Sequence, residues 1–204
     1  MRLILLRHGE TVWNIDKRLQ GHDNSPLSER GILQAKAIAS SIRNLAPARA
    51  VASDLGRARQ TAEIIGYGHA RSDQRLRELN MGEWTGKRKG DLIADTPDLY
   101  RDWRAGRFTP AGGENWHDFV LRIKAGLTDC VYQGTGDLLA IVHSGVVRAA
   151  CFGFLGLSPE QLLPVTPGTL TIFEFDDIQG SAPPRPRLEA YNIGAFMPDS
   201  AVAD

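Results

Sequence analysis

Little in the chain would hold it outside a reducing compartment. Its 204 residues include only two cysteines, Cys130 and Cys151, in apolar surroundings, with no CxxC spacing and no second pair for a disulfide framework. Both read as buried thiols. Long apolar runs are missing too: none approaches the ~20 residues a membrane helix requires, and no basic segment precedes residues 3–6 as a secretion leader would need. An excess of one charge is also lacking, because 24 Lys and Arg balance 24 Asp and Glu. Nothing global therefore points to nucleic acid, an acidic membrane or an acidic partner. Internal repeats and low-complexity tracts are absent as well. A soluble cytoplasmic protein of one domain is expected, since ~200 residues suffice for one sizeable core.

What is present is an alternation of short apolar runs and amphipathic segments. Residues 2–6 are too continuously aliphatic for a surface strand and read as a strand buried on both faces. Residues 28–45 set Ile32, Ala35, Ile38, Ala39 and Ile42 at helical spacing, with Ser28 as N-cap. A second buried strand over 48–54 leads to a helix that Gly66 stops. Residues 114–132 are helical, with Phe119, Ile123, Leu127 and Val131 along one side. A third strand, 137–143, ends in His143 and is followed by another helix. Strands over 169–175 and 187–192 close the chain, joined by a Pro-rich loop at 181–187. Between about residues 78 and 113 the periodicity weakens, as in a lid-like insertion. The pattern predicts an α/β fold, a three-layer α/β/α sandwich with a mainly parallel central sheet. One domain spans 1–195 and carries the insertion, and 196–204 is a flexible tail.

Strand exits and turns carry a chemically particular set: Arg7 and His8, Asn14, Arg57, Glu78, and His143 followed by Ser144 and Gly145. In open α/β sheets the carboxyl ends of strands are where ligands bind. The set suits a phosphoryl group. Arginine offers phosphate oxygens a planar fork of donors, and asparagine adds a neutral donor. Histidine with a free ring nitrogen can attack phosphorus and carry the group covalently. A nearby carboxyl can protonate the leaving oxygen. Gly9 after His8 permits a tight turn, because glycine tolerates positive φ. Ser144 opens a helix whose first N–H groups can bind an anion. Each feature alone admits a plainer explanation: Arg7 and His8 as solvation of a strand end, His143 as a satisfied core histidine, Glu78 as a solvated charge. Their convergence at three strand exits favours chemistry.

With these motifs the chain resembles the histidine phosphatase superfamily, in its phosphoglycerate mutase-like branch. RHGETVWN at 7–14 matches the defining signature, and the match continues in order through 20–35, SDLGRARQTA at 53–62, LRELNMGEWTG at 76–86, AGGEN at 111–115 and VHSGVVR at 142–148. The resemblance implies His8 as the nucleophile that becomes phosphohistidine, its tautomer fixed by the Gly9 carbonyl. Arg7, Arg57 and His143 would form a charged phosphate pocket, joined by Asn14 and the amide of Ser144. Glu78 would be general acid and then general base, and Gln20 and Gly21 would touch substrate. It implies a phosphatase for a small-molecule phosphomonoester that needs no metal and no cofactor. Two alternatives remain: a cofactor-dependent phosphoglycerate mutase, and an inactive member that binds a phosphorylated ligand or a partner. Relatives range from monomers to tetramers, and a homodimer is the expectation. Trp84, Trp103, Phe108 and Trp116 lie in or near the insertion, as core under a lid or as contacts to the leaving group.

Overall fold

A computed structural model describes residues 1–175 and 186–195 of the chain. The strands β1 (Arg2–Arg7), β2 (Arg49–Ala52), β3 (Arg71–Ser72), β4 (Leu138–Val142), β5 (Leu170–Glu174) and β6 (Arg187–Ile193) make one sheet in the order β3-β2-β4-β1-β5-β6. β1 with β4, β2 with β4 and β2 with β3 pair in parallel, whereas β1 with β5 and β5 with β6 are antiparallel. The sheet is therefore mainly parallel, with antiparallel strands at one edge. The described residues also form seven α-helices: α1 (Val12–Ile15), α2 (Glu29–Leu45), α3 (Gly56–Ile64), α4 (Lys89–Asp95), α5 (Pro97–Arg104), α6 (Trp116–Tyr132) and α7 (Ser144–Leu155).

The continuous aliphatic runs are explained by burial on both sides. Leu3 and Leu5 of β1 and Leu138, Ala140 and Val142 of β4 pack in a core that includes Phe119, Ile123 and Leu127 of α6 and Val146 and Val147 of α7. Ile4, Leu6, Leu139 and Ile141 face the opposite core, with Ala35, Ile38 and Ile42 of α2 and Ala58 and Ala62 of α3. This is the expected three-layer sandwich. The caps read from the sequence are also there. Ser28 Oγ accepts from the N–H of Gly31 at 3.0 Å, and Gly66, just past the end of α3, has φ of +90°.

Local differences have local causes. The strand expected over 48–54 stops at Ala52, and Ser53 and Asp54 make the turn into α3. The helix expected from 114 starts at Trp116, because Asn115 caps it by accepting from the N–H of Asp118 at 2.9 Å. β3 has two residues, too few to show an alternation. Gly9 does not use positive φ; a Cβ there would instead meet the Gly31 carbonyl oxygen at 2.4 Å, and one at Gly31 would meet the Glu10 oxygen at 2.0 Å. Two glycines thus let α2 lean on the turn that follows His8. Both cysteines are buried and free. No helix among the described residues is long and apolar enough to cross a membrane. Most of the Pro-rich stretch 181–187 and the tail 196–204 lie outside the described residues.

Candidate active site

β1 delivers Arg7 and His8 to its carboxyl end because parallel pairing with β4 continues past the last strand residue, where the His8 N–H donates to Val142 O at 3.0 Å. His143 follows β4 directly, so the two histidines leave neighbouring strands side by side. Their ring centroids are 5.2 Å apart at 62°. β2 ends one strand further on, and the turn after it starts α3 with Arg57 in its first turn. Strand adjacency therefore gathers residues distant in sequence.

His8 is 2% exposed and bonded at both ring nitrogens. Nδ1 lies 2.7 Å from Gly9 O, a contact that requires Nδ1 to carry the proton. Arg57 Nε donates to Nε2 at 3.2 Å, which requires a lone pair there. Both bonds assign the same tautomer. Arg57 is fixed in turn by donating to Asp23 O at 2.7 Å and Gly21 O at 2.9 Å. Arg7, 1% exposed, donates through Nη1 to Val165 O, and its backbone N–H donates to Thr169 O at 3.1 Å.

Glu78 is 6% exposed. Its Oε1 accepts from the N–H of Leu79 at 2.8 Å and its Oε2 from the N–H of Gly145 at 3.0 Å. At the start of α7 the N–H of Gly145 is thus taken up by the carboxyl group of Glu78. A Cβ at Gly145 would sit 2.1 Å from Oε1, so any side chain there would displace the Glu78 carboxyl. The Glu78 backbone is pinned from behind. Its carbonyl accepts from His22 Nε2 at 2.9 Å and from Arg122 Nη2 at 3.4 Å. Arg122 also donates to Arg75 O at 2.7 Å and holds Glu114 through two bonds of 2.8 and 2.6 Å. Arg77 pairs with Asp54, tying the Glu78 loop to the β2 turn and holding the Asp54 carboxyl below its usual range.

His143 is fully buried, and neither ring nitrogen has a hydrogen-bond partner among the described residues. Desolvation, followed by the charge of Arg57, pushes its pKa well below the usual 6.5.

His8, Gln20, Gly21, Arg57 and Glu78 come together on the wall of one narrow hollow, with Leu19 and Met81. Gln20 Oε1 is buried there with no partner among the described residues. Asn14 and Ser144 are buried but not part of that wall. Asn14 closes a capping box on α1, its Oδ1 accepting from Thr11 N at 3.0 Å, and Ser144 opens α7. Trp84 packs against Trp103 with centroids 5.7 Å apart, whereas Trp103 and Trp116 line a second hollow beside Glu78. The supports from Gly145, His22, Arg122 and Glu114 were not legible as such. His22, Glu114 and Gly145 fall within stretches that carry the family resemblance, at 20–35, 111–115 and 142–148, whereas Arg122 lies in none of them.

The model of the histidine phosphatase superfamily (branch 1) matches residues 3–182. A relative in Enterobacter sp. (strain 638) named "Probable phosphoglycerate mutase GpmB" is 36% identical over 154 residues, spanning 72% of this chain and 70% of that protein. The solved complex of mycobacterial glucosyl-3-phosphoglycerate phosphatase with VO3 has a TM-score of 0.84 at 31% identity, covering 94% of this chain and 98% of that one. Bacillus stearothermophilus YhfR has a TM-score of 0.80 at 29% identity, covering 92% and 96%. The match spans the stretch from His8 to His143, and the fold follows it: the chain belongs to the histidine phosphatase superfamily, as a phosphoric monoester hydrolase.

Proposed function

We propose that the protein hydrolyses a small-molecule phosphomonoester through a phosphohistidine on His8. The observation that supports this reading is the doubly assigned tautomer of His8: Nε2 keeps its lone pair, engaged by Arg57 Nε–H in the unliganded protein, at a hollow that His8, Arg57 and Glu78 line together. In the first half, that lone pair forms the bond to phosphorus as the bond to the alcohol oxygen breaks. The departing oxygen takes the electron pair, and Glu78 gives it a proton. Arg7 and Arg57 offer fixed donors to the equatorial oxygens, where charge spreads in the transition state. His143 joins them by donating a proton-bearing nitrogen, and Asn14 Nδ2, Gln20 and the Ser144 amide complete the contacts to substrate. In the second half, Glu78 takes a proton from water, the water oxygen bonds to phosphorus, and the bond to Nε2 breaks to release phosphate.

No step uses a metal, and the chelator test follows directly. Wild type is expected to release phosphate from p-nitrophenyl phosphate in EDTA, and His8→Ala to lose at least about 10³-fold in kcat. Activity abolished by EDTA and restored by a metal, or retained by His8→Ala, would overturn the reading. The curated relative's name supports a second reading, a phosphoglycerate mutase. That reading requires conversion of 3-phosphoglycerate to 2-phosphoglycerate with a bisphosphoglycerate primer and without net phosphate release.

A further inference from the structure

Arg7 is held by a turn that a more distant strand holds in its place. β5 runs antiparallel to β1 with Leu170 opposite Leu6, so the residues before Leu170 arrive at the end of β1 where Arg7 stands. They wrap its backbone: the Arg7 N–H donates to Thr169 O at 3.1 Å, and the Gly168 N–H lies 3.1 Å from Arg7 O and 3.2 Å from His8 O. They also take its side chain, through the bond from Nη1 to Val165 O. A guanidinium is planar and rigid, so fixing one N–H sets the direction of the whole fork.

Val165 O belongs to the same planar peptide unit as the N–H of Thr166, and that N–H donates to Asn192 Oδ1 at 2.7 Å. One peptide plane is thus gripped by Arg7 at its oxygen and by Asn192 at its nitrogen. Asn192 reaches the turn at two further points: Nδ2 donates to Pro164 O at 3.1 Å, and Oδ1 lies 2.9 Å from the Thr169 hydroxyl. The backbone is bent to allow it. Between the pairs Leu170–Ile193 and Ile172–Ala190, two steps along β5 face three along β6, so Tyr191 and Asn192 together oppose Thr171. Such a bulge re-aims a side chain. Asn192 has φ of +56°, a left-handed conformation that asparagine adopts more readily than most residues with a side chain. Glycine would meet that backbone requirement with less strain; what the turn uses is the amide.

We propose that Asn192 is a positioning residue: from β6, through the peptide between Val165 and Thr166, it aims the Arg7 guanidinium at the phosphoryl group. The proposal rests on the phosphate-binding role given to Arg7 above. Two variants separate the amide from the backbone. Asn192→Gly keeps the left-handed conformation and loses all three contacts, whereas Asn192→Asp keeps an acceptor for Thr166 and Thr169. The affinity for inorganic phosphate is read by calorimetry, and kcat/KM with p-nitrophenyl phosphate. Asn192→Gly is expected to lose at least about tenfold in both, with Asn192→Asp between it and wild type. A residue needed only for its backbone conformation would give the reverse order. In an Arg7→Lys background, itself weaker than wild type in both readings, the change to glycine should cost less than about twofold, because its target is gone.

Wild-type values in Asn192→Gly, the reverse order of the two variants, or a full loss that persists in the Arg7→Lys background would overturn the positioning role and leave the phosphatase standing. An Arg7→Lys protein equal to wild type would overturn it as well. Should Asn192→Gly not fold, Asn192→Asp decides, since the donor to Pro164 is lost there too: a loss of at least about twofold is expected, and no loss would overturn the role. Phosphate binding that weakens in Asn192→Gly only while Arg7 is present, with no hydrolysis by wild type, would keep the role and sink the phosphatase. Neither binding nor hydrolysis by wild type overturns both.

Discussion

Gly145 acts through what it lacks. Its N–H holds one oxygen of Glu78, and the space where a Cβ would be is occupied by the other. Gly145→Ala should therefore fold yet move the carboxyl, and a displacement of about 1 Å in a catalytic group costs on the order of 10²-fold. We expect that loss mainly in kcat, read with an ester whose leaving group needs protonation; an unchanged kcat would contradict the role given to the amide. His143 provides a second test at this scale. Buried beside Arg57, His8 and Arg7, its ring should be neutral at pH 6 in the free protein and take up a proton more readily when a phosphate analogue is bound, as histidine nitrogen NMR shifts would report. A charged ring in the free protein would contradict it. Sequence was most legible at this scale where chemistry and strand exits coincide, as at His8, Arg57 and His143. The pairing of Glu78 with Gly145 spans 67 residues, and nothing short-range announces it.

Among the elements, the Glu78 loop depends on α6. Arg122 satisfies carbonyls of Arg75, Arg77 and Glu78 and the Glu114 carboxylate together, so Arg122→Ala strands several polar groups. Losing such charge-assisted bonds costs about 1–3 kcal/mol. We expect a lower thermal midpoint together with a lower kcat, the second because Glu78 loses its backing. A variant that is destabilised but fully active at low temperature would separate α6 from the site. α2 and α6 were legible because three or more turns of apolar periodicity mark them, joined at α2 by the Ser28 cap. α1, with four residues, and β3, with two, are too short for any period to register. In the insertion, short helices are held by a cluster of Trp84, Tyr100, Trp103 and Phe108 rather than by a long amphipathic face, so the pattern there was weak.

For the molecule as a whole, burial on both faces of the sheet makes its central strands intolerant. Leu5→Ala, at a position with no exposure, is expected to cost about 2–5 kcal/mol in denaturant unfolding. Stability should also depend on pH in a definite order. The folded protein resists protonating His143, whereas the unfolded chain binds that proton near 6.5, so stability falls as pH drops below that value. Asp54 and Asp73 are held below 3.8 by hydrogen bonds from Arg77 and Arg75, and their contribution, present above 3.8, is lost as pH falls through the lower folded values. Thermal midpoints across acid pH would reveal both stages, and His143→Gln should remove the first. The phosphohistidine itself is tested most directly in Glu78→Gln with p-nitrophenyl phosphate, whose activated leaving group departs without an acid while hydrolysis of the intermediate still needs a base. The expected result is a burst of about one equivalent of nitrophenolate with phosphate retained on His8 by peptide mass mapping. Steady turnover with no burst and no phosphorylated His8 would contradict it.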